Sequence, residues 1–278
     1  IMQAITKKVV KKLVSKVKVK RVPSARGFIL YRGPSMLDGA NIVVIATMKT
    51  ANPKTGDMIQ TFILVDNMSP IEASKAGADT ANCGNCRLRW NLKGPCYVNL
   101  GQAPTAVYRG VERGIYPMYD PELHSQFFND RDLRMGAYGD PAAVPVEVWE
   151  HMVSVTKGRT GYTHQLMHEK FNKKFIGICQ ISADSPKQAL KYQAMGAKTF
   201  RVAKEGDGLL EGEIQCPADT HGTQCKDCLL CDGTQANVAV LVHGARAGRF
   251  KSSSINAALA AIAEAGTDKS NLISLAQL

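Results

Sequence analysis

The chain has 278 residues, 45% hydrophobic and 21% charged, enough for one large α/β domain or two modest ones with a proper core. No window approaches the roughly 18 apolar residues of a membrane span, and no basic start followed by an apolar block marks a secretory signal. The net charge of +11 is concentrated at one end: Lys7, Lys8, Lys11, Lys12, Lys16, Lys18, Lys20, Arg21 and Arg26 occur in residues 1–26 without an acid among them.

Those first 26 residues read as a basic N-terminal arm. Ile5, Val9, Leu13 and Val17 recur at i+4, the spacing of an amphipathic helix. Such an arm can meet nucleic acid, an anionic lipid surface or an acidic partner, or pack on the body by its apolar stripe. It carries no aromatic residue on which a base could stack, which counts against sequence-specific RNA or single-strand binding.

Residues 27–278 read as a single α/β metal-binding domain. Strands are expected over 26–31, 42–48 and 58–65, joined by turn-rich GPSMLDGAN and NPKTGD, which suggests an N-terminal antiparallel β unit. Ser69, Pro70 and Glu72 signal a helix start, with the helix running towards Gly77. This β-rich part, 27–100, ends in the first cysteine group. From about 130 to 265 strand and helix alternate. Strands are expected over 133–138, 160–164, 175–181, 198–203 and 237–243, and helices over 146–155, from Ser185-Pro186 to Met195, and over 254–265. Right-handed crossovers make neighbouring strands parallel. The expected architecture is therefore a parallel sheet or incomplete (β/α) barrel, with cysteine-bearing loops at the strand ends.

Eight cysteines dominate the chemistry. Cys216, Cys225, Cys228 and Cys231 lie in CPADTHGTQCKDCLLC, and three thiols in quick succession favour a [4Fe–4S] cluster over zinc, which more often uses two separated knuckles. Cys83, Cys86 and Cys96 lie in CGNCRLRWNLKGPC, three ligands of an incomplete site. Cys179 could complete it from the end of a strand, or be a small apolar core residue. A histidine, a carboxylate or a substrate could equally take the fourth place, and an open position would suit Lewis-acid or ligand-binding chemistry. Paired CxxC spacings without a signal peptide favour metal over disulfides. A redox-active thiol in CGNC would need a thioredoxin-like helix after it, which residues 87–93 do not supply.

GPCYVN after CGNC, LRMGAYGDP, TGYTH, SPKQALKYQAMGAKTFRV and the CPA…CxxCxxC run together resemble a family of uncharacterised proteins of tailed bacteriophages, over most of residues 27–245. The resemblance implies a phage protein with cysteine loops that bind clusters, working in the host cytoplasm; it carries no activity. The βα layout with cysteine ligands is similar in architecture to radical S-adenosylmethionine enzymes, but their C-x3-C-x2-C signature is missing, and fold likeness transmits no function.

Asp140, after a strand in GAYGDP, could be a catalytic acid, base or polar clamp, or simply cap the turn before Pro141. His164 and His168 stand four apart, though TGYTH reads as a strand end and not a helix face. His221 could donate to cluster sulfur or sit exposed in its loop, and His243 closes the last strand. No GxGxxG, GxxxxGK[ST] or GxSxG occurs. The expectation is an iron–sulfur protein binding one or two [4Fe–4S] clusters, serving electron transfer, structure or a radical-type reaction. The alternative is a zinc-stabilised protein that binds nucleic acid through its basic arm.

Overall fold

A computed structural model describes residues 25–251. Nearly all of the basic arm and the expected helix over 254–265 lie outside the described residues.

Three strands begin the fold: β1 (Gly27–Pro34), β2 (Asn41–Thr47) and β3 (Ile59–Val65). They pair antiparallel in chain order, Ile45 lying opposite both Ile29 and Phe62. Nearly every residue of β2 and β3 is buried, which is why both read as largely apolar runs without polar alternation, the buried Gln60 and Thr61 of β3 excepted. Helix α1 (Pro70–Ala76) follows its sequence signals closely. The Ser69 hydroxyl accepts from the Glu72 N–H, the Glu72 carboxylate accepts from the Ser69 N–H, and Gly77 ends the helix at φ 74°. A single turn, α2 (Thr80–Cys83), leads into the first cysteine group. Helix α3 (Ala103–Glu112), absent from the expected elements, lays Val107 and Tyr108 against Val43, Ile45, Phe62 and Leu64. The short α4 (Pro121–His124) then leads towards the parallel half.

Strand β4 (Asp132–Tyr138) joins β3 in parallel. Then come α5 (Val146–Val155), β5 (Gly158–Thr163), β6 (Gln180–Ala183), α6 (Pro186–Ala194), β7 (Thr199–Ala203), β8 (Glu213–Gln215) and β9 (Asn237–Leu241). Single turns α7 (Pro217–Thr220) and α8 (Cys225–Cys228) lie in the second cysteine loop. The strands form one nine-stranded sheet in the order β1-β2-β3-β4-β5-β6-β7-β9-β8, antiparallel at its start and parallel from β3 onwards. The fold is α/β, with the expected antiparallel unit at its N-terminal edge.

The two faces of the parallel half are covered differently. On one, Trp149 and Met152 of α5 pack with Leu133 and Met135, and Ala189 and Tyr192 of α6 pack with Ile181 and Ala183. Side chains alternate along a strand, so Arg134, Tyr138, Tyr162, Val202 and Val240 face the opposite way, into a cavity beneath the cysteine loops.

One expected element is corrected. The apolar run at 175–181 is not a strand throughout. The Asn172 side chain accepts from the Lys174 N–H and starts a 3-10 turn over Lys173–Gly177, and only Gln180–Ala183 is strand. The Cys179 N–H is bonded to the Phe175 carbonyl at 3.1 Å, so Cys179 precedes the strand and does not end it.

A wholly buried ion pair fixes the far edge of the sheet. Arg201 of β7 reaches Glu213 of β8 at 2.7 Å and also donates to the Gly208 carbonyl, while the Leu210 N–H donates to the same carboxylate. Arg201→Ala strands a buried carboxylate. It is expected to cost about 3–5 kcal/mol of unfolding free energy in urea denaturation.

Candidate metal centres

Seven of the eight cysteines open onto one cavity of about 500 Å³; Cys179 is the exception. All eight are free thiols.

The second group is assembled by backbone anchors to three separate parts of the sheet. The Cys216 N–H donates to the Ala239 carbonyl of β9 at 2.8 Å, as the chain leaves β8. The Cys225 N–H donates to the Lys54 carbonyl in the β2–β3 connection at 2.9 Å, and the Cys231 carbonyl accepts from the Gly161 N–H of β5 at 3.0 Å. Cys216, Cys225, Cys228 and Cys231 thereby line one cavity over the parallel strands. The backbone N–H groups of Ala218 and Asp219 lie near the Cys216 sulfur, and the Tyr162 hydroxyl lies near the Cys231 sulfur. Burial pushes the Cys216, Cys225 and Cys231 thiols above their ordinary pKa.

The first group sits across the same cavity. Gln165, just beyond β5, clasps the CGNC knuckle: its Nε2 donates to the Cys83 carbonyl at 3.0 Å and its Oε1 accepts from the Asn85 N–H at 3.1 Å. Gly84 adopts φ 50°, and a Cβ there would stand 2.3 Å from Gln165 Oε1. Glycine is required at this point because the clasp closes directly over it. The Cys96 N–H returns to the Leu88 carbonyl at 2.9 Å, and the Val98 N–H is directed at the Cys96 sulfur. Arg89 pairs with the buried Asp79 at 3.0 Å below the knuckle. Burial pushes Cys83 well up and Cys96 to about 11, with neighbouring Cys86 adding to both.

Cys179 does not join this group. It is fully buried in the main core, with its sulfur 3.8 Å from the Phe175 carbonyl, because the 3-10 turn aims it away from the cavity. His164 lies beside Cys86 instead. Burial opposes its charged form, yet Cys86 and Asp184 together hold the imidazole well above its ordinary pKa. Its Nε2 is 3.3 Å from Asp184 Oδ1, and Asp184 also takes Arg87 Nε at 3.0 Å. Burial acts to raise Asp184, but these two cations win and its pKa falls.

The other candidates divide between clamps and bystanders. Asp140 is buried and accepts from the N–H groups of Ala142 and His164 and from Gln165 Nε2, so it caps a turn and fixes the end of β5. His168 does not share a helix with His164; its Nδ1 accepts from the Lys170 N–H. His221 is exposed against Thr220. His243 borders the cavity and lies against the Tyr97 ring, centroids 5.4 Å apart. Arg134 has no carboxylate partner among the described residues: one Nη donates to the Tyr97 hydroxyl, and its Nε is buried without an acceptor. Burial opposes its charge, but Tyr97, Tyr162 and the Cys225 and Cys231 thiols more than offset this. Arg134 and Gln165 carried no sequence signal of their own.

The donor set fits a thiolate-held metal centre in its chemistry: free sulfurs, partly screened from bulk water, several with N–H or O–H groups close by. As placed, the sulfurs line a common wall; among the described residues no group of three or more His, Cys, Asp or Glu side chains is drawn in tightly enough to hold a metal ion. No helix of the described residues is long and apolar enough to cross a membrane. Comparison with protein-family models, with curated proteins and with solved structures finds no match to this chain.

Gly84→Ala tests the clasp. The strained backbone alone costs about 1–3 kcal/mol, and displacement of Gln165 should loosen the knuckle. The expected result is a lower denaturation midpoint with metal lost preferentially from the first group, read by metal analysis of the purified variant.

Proposed function

We propose that this chain is an iron–sulfur protein with two thiolate centres bordering one cavity. Cys216, Cys225, Cys228 and Cys231 would hold one [4Fe–4S] cluster; Cys83, Cys86 and Cys96 would anchor a second. The observation that carries this reading is the gathering of seven free thiols from distant segments around a single space, with amide and hydroxyl groups close to two of the sulfurs. Hydrogen bonds to sulfur and limited solvent access are the means by which a protein holds and tunes such ligands. When bound, a cluster of this kind supplies one-electron transfer. The residues of the chain orient the thiols, exclude water with apolar walls such as Val202 and Val240, and set the positive Arg134 against the thiolate charge of Cys225 and Cys231. The proposed setting is a phage-encoded protein in the reducing host cytoplasm, where thiols stay free for metal.

Anaerobic purification tests this directly. Brown protein with iron and acid-labile sulfide in equal amounts supports the reading. Colourless protein carrying zinc would move it to a zinc-stabilised protein, with nucleic acid the expected partner of the basic arm.

Cys228→Ala should lose the metal of the second centre and lower the thermal midpoint by several degrees, since each kcal/mol lost shifts it by about 2–4 °C in a domain of this size. Full metal content with an unchanged midpoint would contradict the ligand assignment. Deleting residues 2–21 should leave metal content intact and weaken salt-sensitive retention on heparin or DNA; unchanged retention would remove the arm from any nucleic-acid role.

A further inference from the structure

The first group presents three thiols, and the segment that carries His164 is stitched to them. The His164 N–H donates to Asp140 Oδ2 at 2.8 Å, which fixes its backbone at the end of β5. The next residue, Gln165, is bonded to both Cys83 and Asn85 of the knuckle. The imidazole borders the cavity beside Cys86, Cys83 and Cys96, and its Nε2 is 3.3 Å from Asp184 Oδ1, which leaves the other ring nitrogen free of that carboxylate. Asp184 is itself held by Arg87, the neighbour of Cys86 in sequence, at 3.0 Å. A ligating histidine characteristically gives its other ring N–H to a carboxylate, which fixes the tautomer and turns the free nitrogen to the metal.

We infer that His164 is the fourth ligand of the first centre, giving a Cys83, Cys86, Cys96, His164 set in which Asp184 and Arg87 are positioning residues. This rests on the proposed reading of the three thiols as ligands. It replaces Cys179, whose sulfur faces the core and borders no part of the cavity. The same Cys86–His164–Asp184 line could be a nucleophile relay, in which imidazole activates a thiol for attack. Cys83 and Cys96 crowd the same spot, and a relay has no use for two more buried thiols beside its nucleophile.

Metal and sulfide analysis of the full chain comes first, because protein without metal overturns both the reading and this inference. With metal present, the readout follows its identity. For iron, the reduced protein grown on ¹⁵N-imidazole histidine is examined by electron spin echo spectroscopy; for zinc, X-ray absorption at the zinc edge reports imidazole scattering. The expected result is a histidine nitrogen on the metal in the wild type, absent from His164→Cys with metal content retained. Asp184→Asn should keep the nitrogen signal while metal affinity falls by about 10–100-fold. This variant and the wild-type signal decide the matter should His164→Cys fail to fold. Metal without a histidine nitrogen, a nitrogen signal that survives His164→Cys, or rapid alkylation of Cys86 in fully metallated protein would each overturn the inference while leaving the thiolate-centre reading standing.

Discussion

A parallel sheet has to be covered on both faces, and this molecule covers them with very different material. On one side α5 and α6 supply Trp149, Met152, Ala189 and Tyr192, ordinary core residues at helical spacing. On the other the covering segments are the two cysteine loops, whose only regular structures are single turns such as α2, α7 and α8. Such segments carry scattered apolar contacts, Trp90 and Val98 against the β2–β3 face and Leu230 beside Cys231, with no continuous apolar stripe. They are held by individual backbone bonds, from Cys216 to Ala239, Cys225 to Lys54 and Gly161 to Cys231. The need to close that second face organises everything around the cavity.

Magnitudes show what a metal would add there. A domain of this kind is stable by about 5–15 kcal/mol, whereas a structural thiolate site can contribute about 10–16 kcal/mol of binding free energy at neutral pH. Each backbone anchor contributes net only about 0.5–1.5 kcal/mol. The anchors thus select the loop paths, and metal binding would supply the larger part of the energy that holds them closed. Burial keeps Cys83, Cys96, Cys216, Cys225 and Cys231 in the thiol form without metal, so loading such a site releases protons.

Much of the frame was legible because its signals are local. Ser69-Pro70 with Glu72, and Ser185-Pro186 with Gly196, carry their caps within a few residues, and α1 and α6 begin and end where those caps stand. The second cysteine group was readable from spacing, since a C-x2-C-x2-C run gathers its own thiols. The first group was readable only as three thiols, because the side chain that lies beside them, His164, is 68 to 81 residues away in sequence, and no periodicity encodes that proximity. Phe175 to Ile181 misled for the reason short apolar runs often do: a buried turn and a buried strand share one composition. Only the Asn172 cap distinguishes them, and it turns Cys179 inward. Arg134 carried no signal because what sets it apart, burial beside the cavity without a carboxylate partner among the described residues, is a property of the fold and not of its neighbours in sequence.

The two cysteine groups are also not independent, and β5 is the reason. The Gly161 N–H of this strand holds the Cys231 carbonyl, and the Tyr162 hydroxyl meets the Cys231 sulfur, both serving the second group. A few residues on, His164 lies beside Cys86 and Gln165 clasps Cys83 and Asn85, serving the first. A displacement of β5 along its axis would therefore disturb both groups at once. Asp140 resists such a shift, because it ties the end of β5 to the end of β4 through the His164 N–H and reaches Gln165 as well. A buried carboxylate spent on backbone donors is costly unless it is fully satisfied. Here it accepts from two backbone N–H groups and the Gln165 side chain, which makes Asp140 the brace that keeps the two thiol groups in register across their shared cavity.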